Sequence, residues 1–290
     1  MRLLVLFLSF SLFACGNTEA PPLAPTVADT VPPASQDVIF IDPAGTTIAA
    51  RFPTPAGYTR TTYNDAAFGH YLRHQPLKPQ GTKILLFSGV EKGNQTAHAA
   101  VLDVDVENRN LQQCADAVMR LRAEYLYEQE RFADIHFNFV SGFNAEYRRW
   151  RKGERIRVKG NHVDWTAGSG ATPGYKSFRK YLTMVFSYAG TASLVHELKP
   201  KDKADIGVGD VLIKGGSPGH AVIIVDKSVN DTTGEVLVLL AQSYMPAQDI
   251  HVLVNPARRD GNPWYSVTED FGDWIRTAEY GFAGDALRGW

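Results

Sequence analysis

Residues 209–242 constrain this chain more than any other stretch. Val211 to Ile213 is a short apolar run, and Lys214-Gly215-Gly216-Ser217-Pro218-Gly219 turns the chain. His220 to Val225 and Glu235 to Ala241 are β-rich runs on either side of Asn230-Asp231-Thr232-Thr233-Gly234, a dense cluster of turn formers. Strands joined by such short reversals pair antiparallel, because a parallel pair needs a long crossover. If the hairpin turns near Asp231, His220 stands opposite Gln242, on one sheet face and about 5 Å away. A slip of one or two residues would spoil that pairing. An amide oxygen accepting from one ring nitrogen would fix the tautomer of the imidazole and leave the other nitrogen for a nucleophile.

Upstream the period changes. Between Asn110 and Glu130, the residues Cys114, Val118, Leu121 and Tyr125 recur at helical spacing. Asn110 is the expected cap, and Arg120 with Glu124 forms an opposite-charge pair on another face. A second helix is expected over Tyr175–Tyr188, where Phe178, Tyr181, Leu182 and Val185 share a side. Short strands are expected between the Pro and Gly breaks of Asp37–Tyr63, and longer ones at Lys83–Val90 and Ala97–Val106. A helix-bearing half followed by an antiparallel half makes the fold class α+β.

The 30 basic and 31 acidic side chains leave a net charge of −1, which argues against a nucleic-acid partner, since that needs a basic excess or stripe to meet phosphates. With 44% hydrophobic and 11% aromatic residues, wholesale disorder is excluded as well. Met1-Arg2 precedes an apolar run from Leu3 to Phe13, too short to span a bilayer and suited to the core of a signal peptide. The run ends Leu12-Phe13-Ala14-Cys15-Gly16, which resembles a bacterial lipobox. Residues 1–14 therefore read as a lipoprotein signal peptide. Residues 15–36 read as the lipidated Cys15 and a tether with five prolines, and 37–290 as a single globular domain. A plain signal peptide with an incidental cysteine is the alternative. The expected partner is the membrane, through the anchor, with the protein in the cell envelope and facing periplasm or cell surface. Lipidation would leave Cys114 as the sole thiol in an oxidising compartment, where it is either a buried apolar residue or a reactive group.

Near a helix start, unpaired backbone N–H groups and the helix dipole favour a thiolate at Cys114. The same amides, with Gln112 or Gln113 just before, could bind an oxyanion. A cysteine at a helix start, then a histidine on a strand, then an amide on the next strand is the chain order of papain-like hydrolases. Gly209-Asp210-Val211-Leu212-Ile213 followed by Gly219-His220-Ala221-Val222-Ile223-Ile224-Val225 resembles the strand–turn–His–strand block of NlpC-type cell-wall cysteine peptidases. In those families a Cys opens the central helix, as in Gln113-Cys114-Ala115-Asp116. The resemblance implies a papain-like core, a central helix packed on an antiparallel sheet, with an elaborated N-terminal part. Most of the mature chain further resembles a bacterial family known as domain of unknown function 4846, typical of Bacteroidetes-like lipoproteins. LQQCADAVMRLRAEYLY (111–127), YAGTASL (188–194), GDVLIKGGSPGHAVIIVD (209–226) and LLAQSYMPAQDIHVL (239–253) carry that match. NlpC-type sites usually have Asp or Asn before the Cys and His, Asn or Asp as third member. Gln113 and Gln242 hold those places here. Since Gln adds no negative charge to stabilise an imidazolium, a slow or retired enzyme stays open.

Each candidate has a plainer alternative. Cys114 shares its stripe with Val118 and Leu121 and could be core. Ser243 and Asp226 rival Gln242, although Asp226 lies about 20 Å along an extended strand. His70 and His74 have the spacing of a helical metal pair but no Glu between them or obviously nearby to complete it, so surface histidines explain them better. Gly215 to Gly219 lacks the Lys-Ser/Thr ending of a phosphate loop. No cofactor and no metal are expected. The expected function is a lipid-anchored envelope cysteine hydrolase cleaving an amide bond in cell-wall peptide. Cys114 would attack, His220 carry the proton and Gln242 hold the imidazole, while Gln113 with the helix-start amides binds the oxyanion. The alternative is a non-catalytic binding or assembly lipoprotein on the same scaffold.

Overall fold

The computed structural model describes residues 40–168 and 170–290. The signal segment, Cys15 and the tether lie outside the described residues. Nine strands form one antiparallel sheet: β1 (Tyr58–Arg60), β2 (His98–Val101), β3 (Lys199–Pro200), β4 (Val211–Lys214), β5 (His220–Asn230), β6 (Val236–Gln242), β7 (His251–Leu253), β8 (Tyr265–Ser266) and β9 (Leu287–Gly289). Their spatial order is β2-β7-β6-β5-β4-β9-β3, with β1 added to β5 and β8 to β6. The helices that matter to the site are α1 (Cys114–Glu128), α2 (Tyr175–Tyr188) and α3 (Thr191–Glu197). The fold is α+β.

The unbroken apolar run of β5 follows from cover on both faces. Ala221, Ile223 and Val225 pack with Ala115, Val118 and Leu121 of α1. Val222 and Ile224 face the other way, into a second cluster with Leu212, Val238, Leu240, Tyr265 and Phe282. Burying each large aliphatic side chain contributes roughly 1.5–3 kcal/mol, so neither layer is dispensable. His220 and Gln242, at alternate positions with Val222 and Leu240, point to the same face as this second cluster.

The helix carrying the stripe starts later than its sequence signals suggest. Gln113, not Asn110, is the N-cap, and Asp116 Oδ2 accepts from the Gln113 N–H at 3.0 Å. Asn110 Oδ1 instead accepts from the Ala247 N–H at 2.7 Å and pins the approach to α1 against the loop after β6. Arg120 and Glu124 form their i,i+4 pair at 2.5 Å, but buried. Arg120 also donates to Gln112 Oε1 at 2.9 Å, and Tyr175 Oη to Glu124 Oε1 at 2.8 Å. The pair thus braces the segment leading into Cys114 and the start of α2.

The hairpin register also differs. Val236 faces Val229 and Leu239 faces Asp226. A bulge at Val225 then shifts the pairing, so that Ala241 faces Ile223. The turn is displaced because Asn230 Oδ1 accepts from the N–H groups of Thr232 and Thr233, and Gly234 at φ 74° closes the loop. Gln242 therefore falls in line with Val222, two residues from His220. A slip of two keeps a side chain on its face, so the pair survives as a diagonal contact.

Other expected strands are shortened or absent. Lys83–Val90 makes only isolated bridges, Leu85 to Glu91 and Leu86 to Gln248. Side chains serve part of the backbone there, Gln95 bonding both groups of Ile84 and Asp249 accepting from the Leu85 N–H, while Leu86 and Phe87 donate to Val90 O and Ala247 O. The Ala97–Val106 strand contracts to β2. In the first segment Ile48–Arg51 forms a helical turn, capped by Thr47 Oγ1 on the Ala50 N–H at 3.2 Å.

Candidate active site

Cys114 is the first residue of α1 and lies where the sheet ends beside β5. The N–H groups of Ala221, Ala115 and Cys114 itself point at its sulfur and favour a thiolate. Burial outweighs them, and with Asp116 nearby the thiol is pushed up to about 11. The helix-start effect expected from sequence is thus present but overridden by desolvation, and the thiol is neutral at neutral pH. Ser243 ties this corner together, its Oγ lying 3.1 Å from Gln112 O and 2.8 Å from Gln248 O.

His220 opens β5. Its Nε2 lies 2.7 Å from Gln242 Oε1, and its ring is flanked by Tyr244 and Tyr280, each with centroids 4.8 Å away, with Phe282 at 5.9 Å. Burial among these rings pushes the imidazole down to about 4, so it is neutral across the physiological range. Cys114, His220, Gln113, Asp116, Tyr244 and Tyr280 all line one cavity of about 470 Å³. The cysteine and histidine share this cavity without being hydrogen-bonded to each other.

Gln113 reaches the cavity, where its Nε2 donates to Asn110 Oδ1 at 3.2 Å. Gln242 is buried behind His220. The rivals to Gln242 are engaged elsewhere: Ser243 with the two carbonyls, and Asp226 with Arg60 and Arg73. The turn before His220 packs tightly against α3, and a Cβ on Gly219 would meet Gly216 O at 2.3 Å and Thr191 Oγ1 at 2.4 Å. Glycine is required there by close approach. His70 and His74 lie with ring centroids 4.0 Å apart and planes tilted by 38°, and among the described residues no group of three or more His, Cys, Asp or Glu could hold a metal ion.

Sequence reasoning missed the groups behind Gln242. Its Nε2 donates to Glu279 Oε2 at 2.9 Å and lies 3.4 Å from His251 Nε2. Glu279 is ion-paired with Lys92 and accepts from Asn94 Nδ2 at 3.1 Å. His251 is fully buried with Nδ1 2.9 Å from Asp249 O, and burial pushes it down to about 3. Glu279 stands in the reversal between the paired strands 274–276 and 281–283, where a lone carboxylate carries no local signal.

The family model for domain of unknown function (4846) matches residues 48–289. No curated protein and no solved structure matches.

Proposed function

The chain belongs to that family of unknown function, and we propose that it is a lipid-anchored envelope cysteine hydrolase cleaving an amide bond of cell-wall peptide. The observation that carries this is the cavity shared by Cys114 and His220, with His220 Nε2 held by Gln242. A papain-like reading of the core is supported by the cysteine opening a helix packed on an antiparallel sheet, the histidine on one strand and the amide on the next. The lipobox-like Leu12 to Gly16 supports anchoring through Cys15 in the envelope.

The resting pair is a neutral thiol beside a neutral imidazole, so this is general-base chemistry without a preformed ion pair. As Cys114 Sγ bonds to the substrate carbonyl carbon, its proton passes to His220 Nδ1 and the carbonyl π electrons move to oxygen. The oxyanion lies against the first N–H groups of α1, with Gln113 as a further donor. Collapse breaks the C–N bond, and the leaving nitrogen takes the proton from His220. Water then hydrolyses the thioester by the same path.

The raised thiol and the missing Cys–His hydrogen bond favour a second reading, a binding module that uses the cavity and leaves Cys114 inert. Detergent-solubilised full-length protein incubated with purified peptidoglycan separates the two. Release of new amino groups by wild type, and none by Cys114→Ala or His220→Ala, supports the hydrolase. No release, together with a Cys114 that is alkylated only on unfolding, leaves the binding module.

A further inference from the structure

We infer that Glu279 decides which nitrogen of His220 carries the proton, by locking the Gln242 amide in one of its two orientations. The oxygen and nitrogen of an amide fill nearly the same space, so the neighbours' chemistry chooses between them. A carboxylate only accepts, so Gln242 must present its NH₂ to Glu279, 2.9 Å away. The second neighbour agrees. Asp249 O is a carbonyl and only accepts, so the neutral His251 keeps its proton on Nδ1 and offers a lone pair on Nε2 towards the same NH₂. The amide oxygen is left for His220, and an acceptor 2.7 Å from Nε2 requires the proton to be on Nε2. A neutral imidazole protonated at Nε2 has its lone pair on Nδ1, which has no hydrogen-bond partner among the described residues, and His220 lines the cavity with Cys114.

The ion pair with Lys92 and the hydrogen bond from Asn94 keep the carboxylate in place, the Lys92 and Glu279 side chains being 10% and 11% exposed. Glu279 is thus a positioning residue, acting through an amide that itself carries no charge. Without it Gln242 could rotate and offer NH₂ to His220, which would move the proton to Nδ1 and remove the base. The catalytic consequence rests on the hydrolase reading, whereas the tautomer does not.

The test reads the tautomer by long-range ¹H–¹⁵N correlation in ¹⁵N-histidine-labelled, detergent-solubilised full-length protein at neutral pH. The His220 signals are identified by their loss in His220→Gln. Wild type and Cys114→Ala are expected to show His220 protonated on Nε2. The charge swap K92E/E279K keeps the ion pair but turns an ammonium towards Gln242, which draws the amide oxygen away and shifts His220 to the Nδ1–H form. If peptide hydrolysis is found, the swap lowers kcat at least about 100-fold with KM changed less than about twofold, because the wrong tautomer cannot accept the thiol proton. A wild type protonated on Nδ1, or a folded swap that keeps Nε2–H, overturns the inference. Should the swap fail to fold, K92M/E279L replaces it, with loss of the single Nε2–H form expected and its retention overturning the idea. All these spectra are taken without substrate, so an inert Cys114 would sink the hydrolase reading and leave this one standing.

Discussion

Strand β5 carries two buried polar clusters, one around Asp226 and one around His220, and they are built in opposite ways. Asp226 is fully buried: its Oδ2 accepts from Arg60 Nε at 2.6 Å, its Oδ1 from Arg73 Nε at 2.8 Å and from the Lys227 N–H at 2.9 Å. The arginines in turn donate to Phe52 O and Thr61 O, which ties the short helix Phe68–Arg73 and the segments flanking β1 to the sheet. None of Asp226, Arg60 and Arg73 lines the cavity that holds Cys114 and His220. At the other end His220 engages only its Nε2, and its ring lines a cavity together with the free Cys114. A charge enclosed by donors is architecture. A neutral titratable group with a lone pair left over in a cavity is where chemistry can happen.

The largest effect that distinguishes the clusters is on stability. Asp226→Ala strands the buried Arg73 guanidinium and the partly exposed one of Arg60, and should cost about 3 kcal/mol in urea unfolding of the wild-type and variant chains. A loss below about 1 kcal/mol would mean that water reaches the arginines, and the closed half of the contrast would fail.

The next effect is a pH dependence at the open end. The folded His220 is held down to about 4, against about 6.5 when exposed, so between these values the unfolded chain binds the extra proton. Its contribution is therefore complete above pH 6.5 and is lost as the pH falls towards 4, by up to about 1.4 kcal/mol per pH unit. His251, held down to about 3, adds a loss of the same sign. Wild type should thus lose stability relative to His220→Asn across this window, read by urea unfolding at stepped pH. A constant difference between the two would show an imidazole that protonates freely, and the cluster would not be a desolvated one.

The smallest effect sharpens the contrast inside the open cluster. Ser243→Ala removes the hydroxyl shared by Gln112 O and Gln248 O, and should cost about 1 kcal/mol. Because Ser243 holds the corner where Cys114 sits, thiol alkylation in the folded chain should also quicken. Alkylation unchanged from wild type would show that the helix start is held by α1 alone.

Much of this was legible along the chain because its causes are local. The stripe of Cys114, Val118, Leu121 and Tyr125 specifies a helix face, and Tyr175 to Tyr188 forms as its period requires. The turn formers at 230–234 impose a hairpin, and alternation then puts His220 and Gln242 on one face even though the register moved by two. The strand expected at Lys83–Val90 is absent, because Gln95, Asp249 and a local turn to Val90 satisfy much of its backbone without a ladder. Asn110 looked like a cap but was claimed by Ala247, far along the chain.

Local periodicity and turn chemistry by themselves determined an α+β chain with a cysteine at a helix start and an imidazole beside an amide, because each depends only on residues a few positions apart. The protonation states were decided by packing. Two tyrosines and a phenylalanine strip water from His220, burial of the helix start overrides the amides at Cys114, and Lys92, Gln242 and Glu279 meet from three separate segments. Each of those is an ordinary polar residue in its own stretch of chain. The direction of a hydrogen bond depends on what stands at its far end, and only the folded chain supplies that neighbour.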